Sequence, residues 1–254
     1  MGLHVKLNGS AERTGRPGAD GERENEEVLT LNEMANYLGL PQTVAAGMAE
    51  PGETRGRSVS DESRFLKPLI DDWLAMRIHM SSEDQLVDMV ARTPAETTLA
   101  RVLTTDRVVL DLLPGSKRSI LERLTGVLGW EDVGEFGDSL MSELMAREAV
   151  TSTAIGSGIA LPHVSEPREC PVRRPCGAIG ICREGTDFGA LDGEPTHIFV
   201  LLCATDEITH LRLQAQTALM LKRDSVRRRL LSAGTAEDVR DVILAAHAEL
   251  SIRF

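Results

Sequence analysis

Apolar positions along the chain fall into three regimes. Residues 1–27 are polar and rich in Gly, Glu and Arg, with no apolar period, which predicts a disordered tail. From Val28 a helical spacing begins: in "VLTLNEMANYLGL" Thr30 stands as an N-cap with Glu33 at the capping-box position, Met34, Ala35 and Leu38 share one face, and Gly39 ends the helix. "PQTVAAGMAE" predicts a second short helix opened by Pro41, "PGETRGRS" a loop, and "RFLKPLIDDWLAMRIHM" a return to apolar spacing around Trp73. These segments form a small helical unit over residues 28–80. The stretch 81–99 reads as a linker helix broken at Pro94.

From residue 100 to 254 the pattern alternates. "RVVLDLL", "GIALPHV", "CGAIGICREG" and "THIFVLLCAT" are short apolar runs of strand type. "KRSILERLTGVLGW", "FGDSLMSELMAREAV", "HLRLQAQTALMLKRDSVRRRLLSA" and "TAEDVRDVILAAHAEL" carry helical spacing, the last capped by Thr235. Strands interleaved with helices predict an α/β fold, a layered C-terminal domain with a mixed sheet flanked by helices.

Composition narrows the partners. At 254 residues and a net charge of −11, the chain can bury a sizeable core and lacks a general attraction for nucleic acid or an anionic membrane. The four cysteines (Cys170, Cys176, Cys182, Cys203) contain no Cys-x-x-Cys pair and fit neither a zinc site nor a redox motif. No signal peptide opens the sequence and no apolar run approaches a membrane span, so the expectation is a cytoplasmic protein without membrane insertion, metal or cofactor.

The candidate chemistry centres on "AIGSGIALPH", residues 154–163. Gly156 and Gly158 permit a sharp turn and a close backbone approach, and Pro162 fixes the main chain just before His163. A lone histidine at a strand end is commonly structural, but here the flanking constraint implies that the position of one ring nitrogen matters. Arg147, by position alone, is equally a helix-end arginine beside a negative dipole end. His210 could simply open its helix, and Ser157 could bind phosphate or merely tolerate the turn.

Taken together, "RE" at 147–148, "TAIGSGIALPH" and the histidine heading "HLRLQAQ" resemble the EIIA domain of the bacterial phosphotransferase system, of the fructose/mannitol and nitrogen-regulatory type. The resemblance covers roughly residues 100–250 and implies a phosphocarrier or regulatory protein. His163 would be phosphorylated by a histidine phosphocarrier protein, with Arg147 and His210 as its active-site companions and Gly156, Ser157 and Gly158 as a phosphoryl-binding loop. The group would pass to an unidentified regulated protein or a IIB-type acceptor, or act as a signal. One departure is Val164-Ser165-Glu166 after the histidine, where many members carry small or basic residues. No Cys-[PT]-x-G loop of the IIB kind is present; Cys170-Pro171-Val172-Arg173 lacks the glycine.

Residues 28–80 resemble the winged helix-turn-helix of the excisionase and MerR-like type, Arg64, Phe65, Ile70, Trp73 and Leu74 matching its closing pattern. The alternative this implies is a DNA-binding regulator controlled by the C-terminal domain, reading DNA through Gln42, Thr43, Arg55, Arg57 and Arg64. The chemistry for that is thin: the second helix has no basic residue, and residues 1–80 hold nine Lys and Arg against thirteen Asp and Glu.

Overall fold

The computed structural model describes residues 28–37, 64–66, 86 and 97–251. The expected tail (1–27), the second helix, its following loop, the linker helix as far as residue 96 apart from Leu86, and the candidates Gln42, Thr43, Arg55 and Arg57 lie outside the described residues. Within the first unit, β1 (Val28–Thr30) precedes α1 (Leu31–Tyr37) and pairs antiparallel with β2 (Arg64–Leu66), which sets Arg64 opposite Thr30. The anticipated capping box is formed: Glu33 N–H donates to Thr30 Oγ1 at 3.3 Å and Thr30 N–H to Glu33 Oε2 at 2.8 Å.

The larger part is a five-stranded mixed sheet in the order β3-β6-β7-β5-β4. Its strands are β3 (Val108–Val109), β4 (Ala154–Gly156), β5 (Ile159–Ala160), β6 (Cys176–Thr186) and β7 (Thr196–Cys203). β6 and β7 run antiparallel, whereas β5 runs parallel to β7 and β3 parallel to β6. The central strand β7 reads "THIFVLLC", apolar on nearly every position, as a strand covered on both faces requires. Ile198, Val200 and Leu202 join one core with α2 (Leu99–Val102), α6 (Glu207–Lys222), α7 (Asp224–Ser232) and α8 (Ala236–Ser251). Phe199, Leu201 and Cys203 join a second core with α3 (Lys117–Thr125), α4 (Trp130–Val133) and α5 (Gly137–Val150). The period of two along β7 thus divides the domain into helix, sheet and helix layers.

Several elements differ from the sequence expectations. The run "RVVLDLL" supplies only the two-residue β3, and "GIALPHV" only β5, because Pro162 has no N–H to continue a ladder. β4 was not anticipated. The helix expected over 117–130 stops at Thr125, whose hydroxyl donates to Leu121 O at 2.9 Å; Gly126 follows, and a new helix begins at Trp130. The long helix expected from residue 210 is two helices, broken where Arg223 turns extended. Arg227 Nη1 closes the break by donating to the carbonyls of Leu221 (2.6 Å) and Lys222 (3.1 Å). α8 starts as foreseen at Thr235, whose Oγ1 accepts from Asp238 N–H at 3.1 Å.

Candidate active site

β5 and β7 run parallel, and their carboxyl ends open on the same edge of the sheet. Beyond Ala160 the chain stays extended beside β7: Leu202 N–H donates to Pro162 O at 2.9 Å. His163 is therefore delivered at the end of that run. β7 ends at Cys203, and Asp206, capping α6 by accepting from Thr209 N–H at 2.8 Å, turns the chain into the helix that carries His210 in its first turn. The imidazoles of His163 and His210 lie 4.9 Å apart between centroids, tilted by 47°.

Both rings are enclosed, with 2% of His163 and 5% of His210 exposed. His163 Nδ1 lies 2.7 Å from the Leu161 carbonyl oxygen. A carbonyl only accepts, so Nδ1 carries the hydrogen and, in the neutral ring, Nε2 holds the lone pair. That Nε2 is buried and has no hydrogen-bond partner among the described residues. Burial pushes the proton affinity of His163 well below the ordinary histidine value, and the positive field of Arg147 and then of His210 pushes it further; the Leu161 contact opposes them. The result is a neutral imidazole with its lone pair uncommitted.

Arg147 sits in the last turn of α5, 1% exposed, and its Nη1 donates to Thr151 O at 3.0 Å. The neighbouring Glu148 is also buried and accepts from Lys117 Nζ (2.8 Å), Thr153 Oγ1 (2.6 Å) and Thr153 N–H (3.1 Å). On the far side of the histidine, Arg168 Nε donates to Glu207 Oε2 at 2.8 Å, linking the segment after His163 to the start of α6.

The Gly156–Gly158 stretch is placed elsewhere. Gly156 faces Ile159 across an antiparallel pair, and Ser157 (φ 54°) and Gly158 (φ 76°) form the two-residue corner between β4 and β5. Five extended residues, about 16 Å of chain, run from that corner to His163. Ser157 N–H is taken by Asp192 Oδ2 at 2.7 Å, an anion of the protein itself. The close approach that the glycines permit is to Asp192 and His197: a Cβ on Gly156 would come within 2.8 Å of Asp192 Oδ2 and one on Gly158 within 3.3 Å of His197 Cδ2. The stretch that the family likeness offers as a phosphoryl-binding loop is a hairpin corner at the opposite end of β5 from His163.

The cysteines hold one arrangement that spacing does not reveal. All four are free and buried, and Cys203 lies opposite Cys176 in the ladder with the Cys170 thiol also against it; its hydrogen bonds with Cys170 and Cys176, and then burial, push the Cys203 thiol up. Among the described residues no group of three His, Cys, Asp or Glu side chains is arranged to hold a metal ion.

Residues 101–246 match the family model described as phosphoenolpyruvate-dependent sugar phosphotransferase system, EIIA 2. The chain belongs to this EIIA family. Among curated proteins, it is 38% identical over 151 residues to a nitrogen regulatory protein of Pseudomonas aeruginosa, a match covering 58% of this chain and 94% of that one. It is 29% identical over 149 residues to the fructose-specific EIIABC component of the phosphotransferase system of Bacillus subtilis, covering 57% of this chain but 23% of that much longer protein. Among solved structures, the nitrogen regulatory protein IIA-Ntr of Neisseria meningitidis aligns with a TM-score of 0.52 at 29% identity, over 57% of this chain and 98% of that one. The EIIA match begins at residue 101 and lends no support to the helix-turn-helix likeness of residues 28–80 or to DNA binding. No described helix is long and apolar enough to cross a membrane.

Proposed function

We propose that His163 is the phosphoryl acceptor of this EIIA domain and that the group enters on Nε2. EIIA domains receive a phosphoryl group from the histidine phosphocarrier protein and pass it on or regulate by it; the residues that do so here are inferred from the site. The observation carrying the assignment is the Nδ1–H contact to Leu161, which leaves Nε2 as the one ring nitrogen with a lone pair. In the transfer, that lone pair forms the new N–P bond while the bond to the donor's imidazole breaks, and the donor nitrogen keeps the electron pair. The hydrogen on Nδ1 stays where it is. The depressed proton affinity keeps the nucleophile neutral through the physiological range.

Arg147 and His210 supply the charge complement. A loose phosphoryl-transfer transition state spreads charge over three equatorial oxygens, and a guanidinium can fork onto two of them. His210, ring against ring with His163, is placed to donate to the third oxygen or to brace the acceptor ring. For the output, the likeness to the Pseudomonas nitrogen regulatory protein, aligned over 94% of its length, supports a regulatory partner whose binding depends on the charge at His163 over a sugar-linked IIB acceptor.

The test is to incubate the full chain with phosphoenolpyruvate, enzyme I and the histidine phosphocarrier, and to measure added phosphate by intact mass. One acid-labile phosphate on the native chain, none on His163→Ala and a large loss on Arg147→Ala are expected. A phosphate that persists in His163→Ala overturns the assignment.

A further inference from the structure

We infer that Glu148 is a positioning residue for the imidazole of His163, acting through Thr153 and Leu161. The inference rests on the reading of His163 as the acceptor and extends it to how the acceptor nitrogen is selected.

Each contact in the path is short and enclosed. Glu148 Oε2 accepts from both the hydroxyl and the N–H of Thr153, at 2.6 and 3.1 Å, so Thr153 is held by side chain and main chain at once. The Thr153 carbonyl accepts from Leu161 N–H at 3.0 Å. Leu161 O in turn accepts from His163 Nδ1 at 2.7 Å. Glu148, Thr153, Leu161 and His163 are all buried, so no solvent competes for any of these groups. At the far end, Lys117 Nζ anchors Oε1 at 2.8 Å, the oxygen that also takes a contact of 3.2 Å from the shared Thr153 N–H. Leu161 is thus tied at its N–H to Thr153 and Thr153 to the carboxylate, while the Pro162 ring restricts the Leu161 ψ that aims the carbonyl at His163.

The same element sets the other side of the site. Arg147 and Glu148 are consecutive in the last turn of α5 and grip consecutive parts of the exit: Arg147 holds Thr151 O, Glu148 holds Thr153. One helix end therefore orients the guanidinium and, through three hydrogen bonds, the lone pair it complements. A nucleophile whose tautomer is wrong or whose ring is turned loses in-line attack, and misplacement of that kind commonly costs about 100-fold.

The experiment compares Glu148→Ala, Thr153→Val and Thr153→Ser with the native full chain. Two readouts are used: the 15N shifts of His163, which report its tautomer and protonation without any phosphoryl donor, and steady-state phosphorylation by the phosphocarrier. In Glu148→Ala and Thr153→Val, signal from the Nε2–H tautomer should emerge, and maximal phosphorylation rate should fall by about tenfold or more with the KM for the phosphocarrier unchanged. Thr153→Ser, which keeps the hydroxyl, should restore native behaviour in both readouts. Native tautomer and rate in folded Glu148→Ala and Thr153→Val would overturn the inference; if Glu148→Ala does not fold, Thr153→Val decides. A native chain that takes no phosphate would sink the acceptor reading alone, since the tautomer readout would still judge Glu148.

Discussion

Acid should weaken this fold well above the carboxylate range, and His163 should carry an identifiable share of the loss. Its ring takes a proton far less readily folded than unfolded, because burial and the Arg147 and His210 charges oppose it. As pH falls through the unfolded value of 6.5, the unfolded chain binds a proton that the folded chain refuses, so stability present above that value is lost as pH drops. While the folded ring stays neutral, one such group removes about 1.4 kcal/mol between about pH 7.5 and about pH 5.5. His247 is shifted the same way, by burial and then by Arg212 and Arg240, and adds to the slope. The carboxylates held low (Asp106, Glu135, Asp192, Asp238) lose their contribution only at more acid pH, so they do not confuse this window. The assay is urea unfolding of native protein and His163→Asn at the two pH values. The substitution changes absolute stability at both, but the native-minus-variant difference should shrink by about 1.4 kcal/mol on acidification. An unchanged difference would refute the reasoning, since the buried ring would then not be the neutral group described.

Further outcomes follow from other contacts. Arg147→Lys keeps the charge but loses the planar fork, and the phosphorylation rate should fall about 10- to 100-fold, measured by initial rates with the phosphocarrier. Asp132 is fully buried and joins Arg107 Nη2 at 2.5 Å and Arg174 Nε at 2.6 Å; Asp132→Ala strands the buried Arg107 and should cost about 3–5 kcal/mol in urea unfolding. Ser157→Ala keeps the N–H that Asp192 holds and lies at the other end of β5, so the phosphorylation rate should be unchanged; a large loss would return the corner to the active site.

What the sequence disclosed depended on how local the determinant was. The uninterrupted apolar run of β7 and the spacing of α5 and α8 carry their structures openly, since packing on both faces or on one stripe writes a period into the chain. The break at Arg223 does not show, because arginine is a good helix former and the termination is made by Arg227 reaching back to Leu221 and Lys222. β4 is three residues with no pattern of its own, formed only by pairing with β5. At the site, His163 was marked by Pro162, whereas His210 and Arg147 were reached through family likeness, as nothing local ties residues so far apart. The glycines carry two readings: a corner that needs left-handed backbone and a loop that approaches a ligand use the same residue for different reasons. Glu148 stood beside Arg147 in the "RE" pair, but its connection to His163 runs through the main chain of Thr153 and Leu161, which no side-chain pattern displays.

The carbonyl of Leu161 has one more consequence. On the proposed assignment it goes on accepting the Nδ1 hydrogen once Nε2 bears a phosphoryl group, so this contact does not itself report the change of state. A partner that distinguishes the two states then has the charge of the added group to read. Such a signal travels little farther than the screening length of the surrounding salt and fades as ionic strength rises.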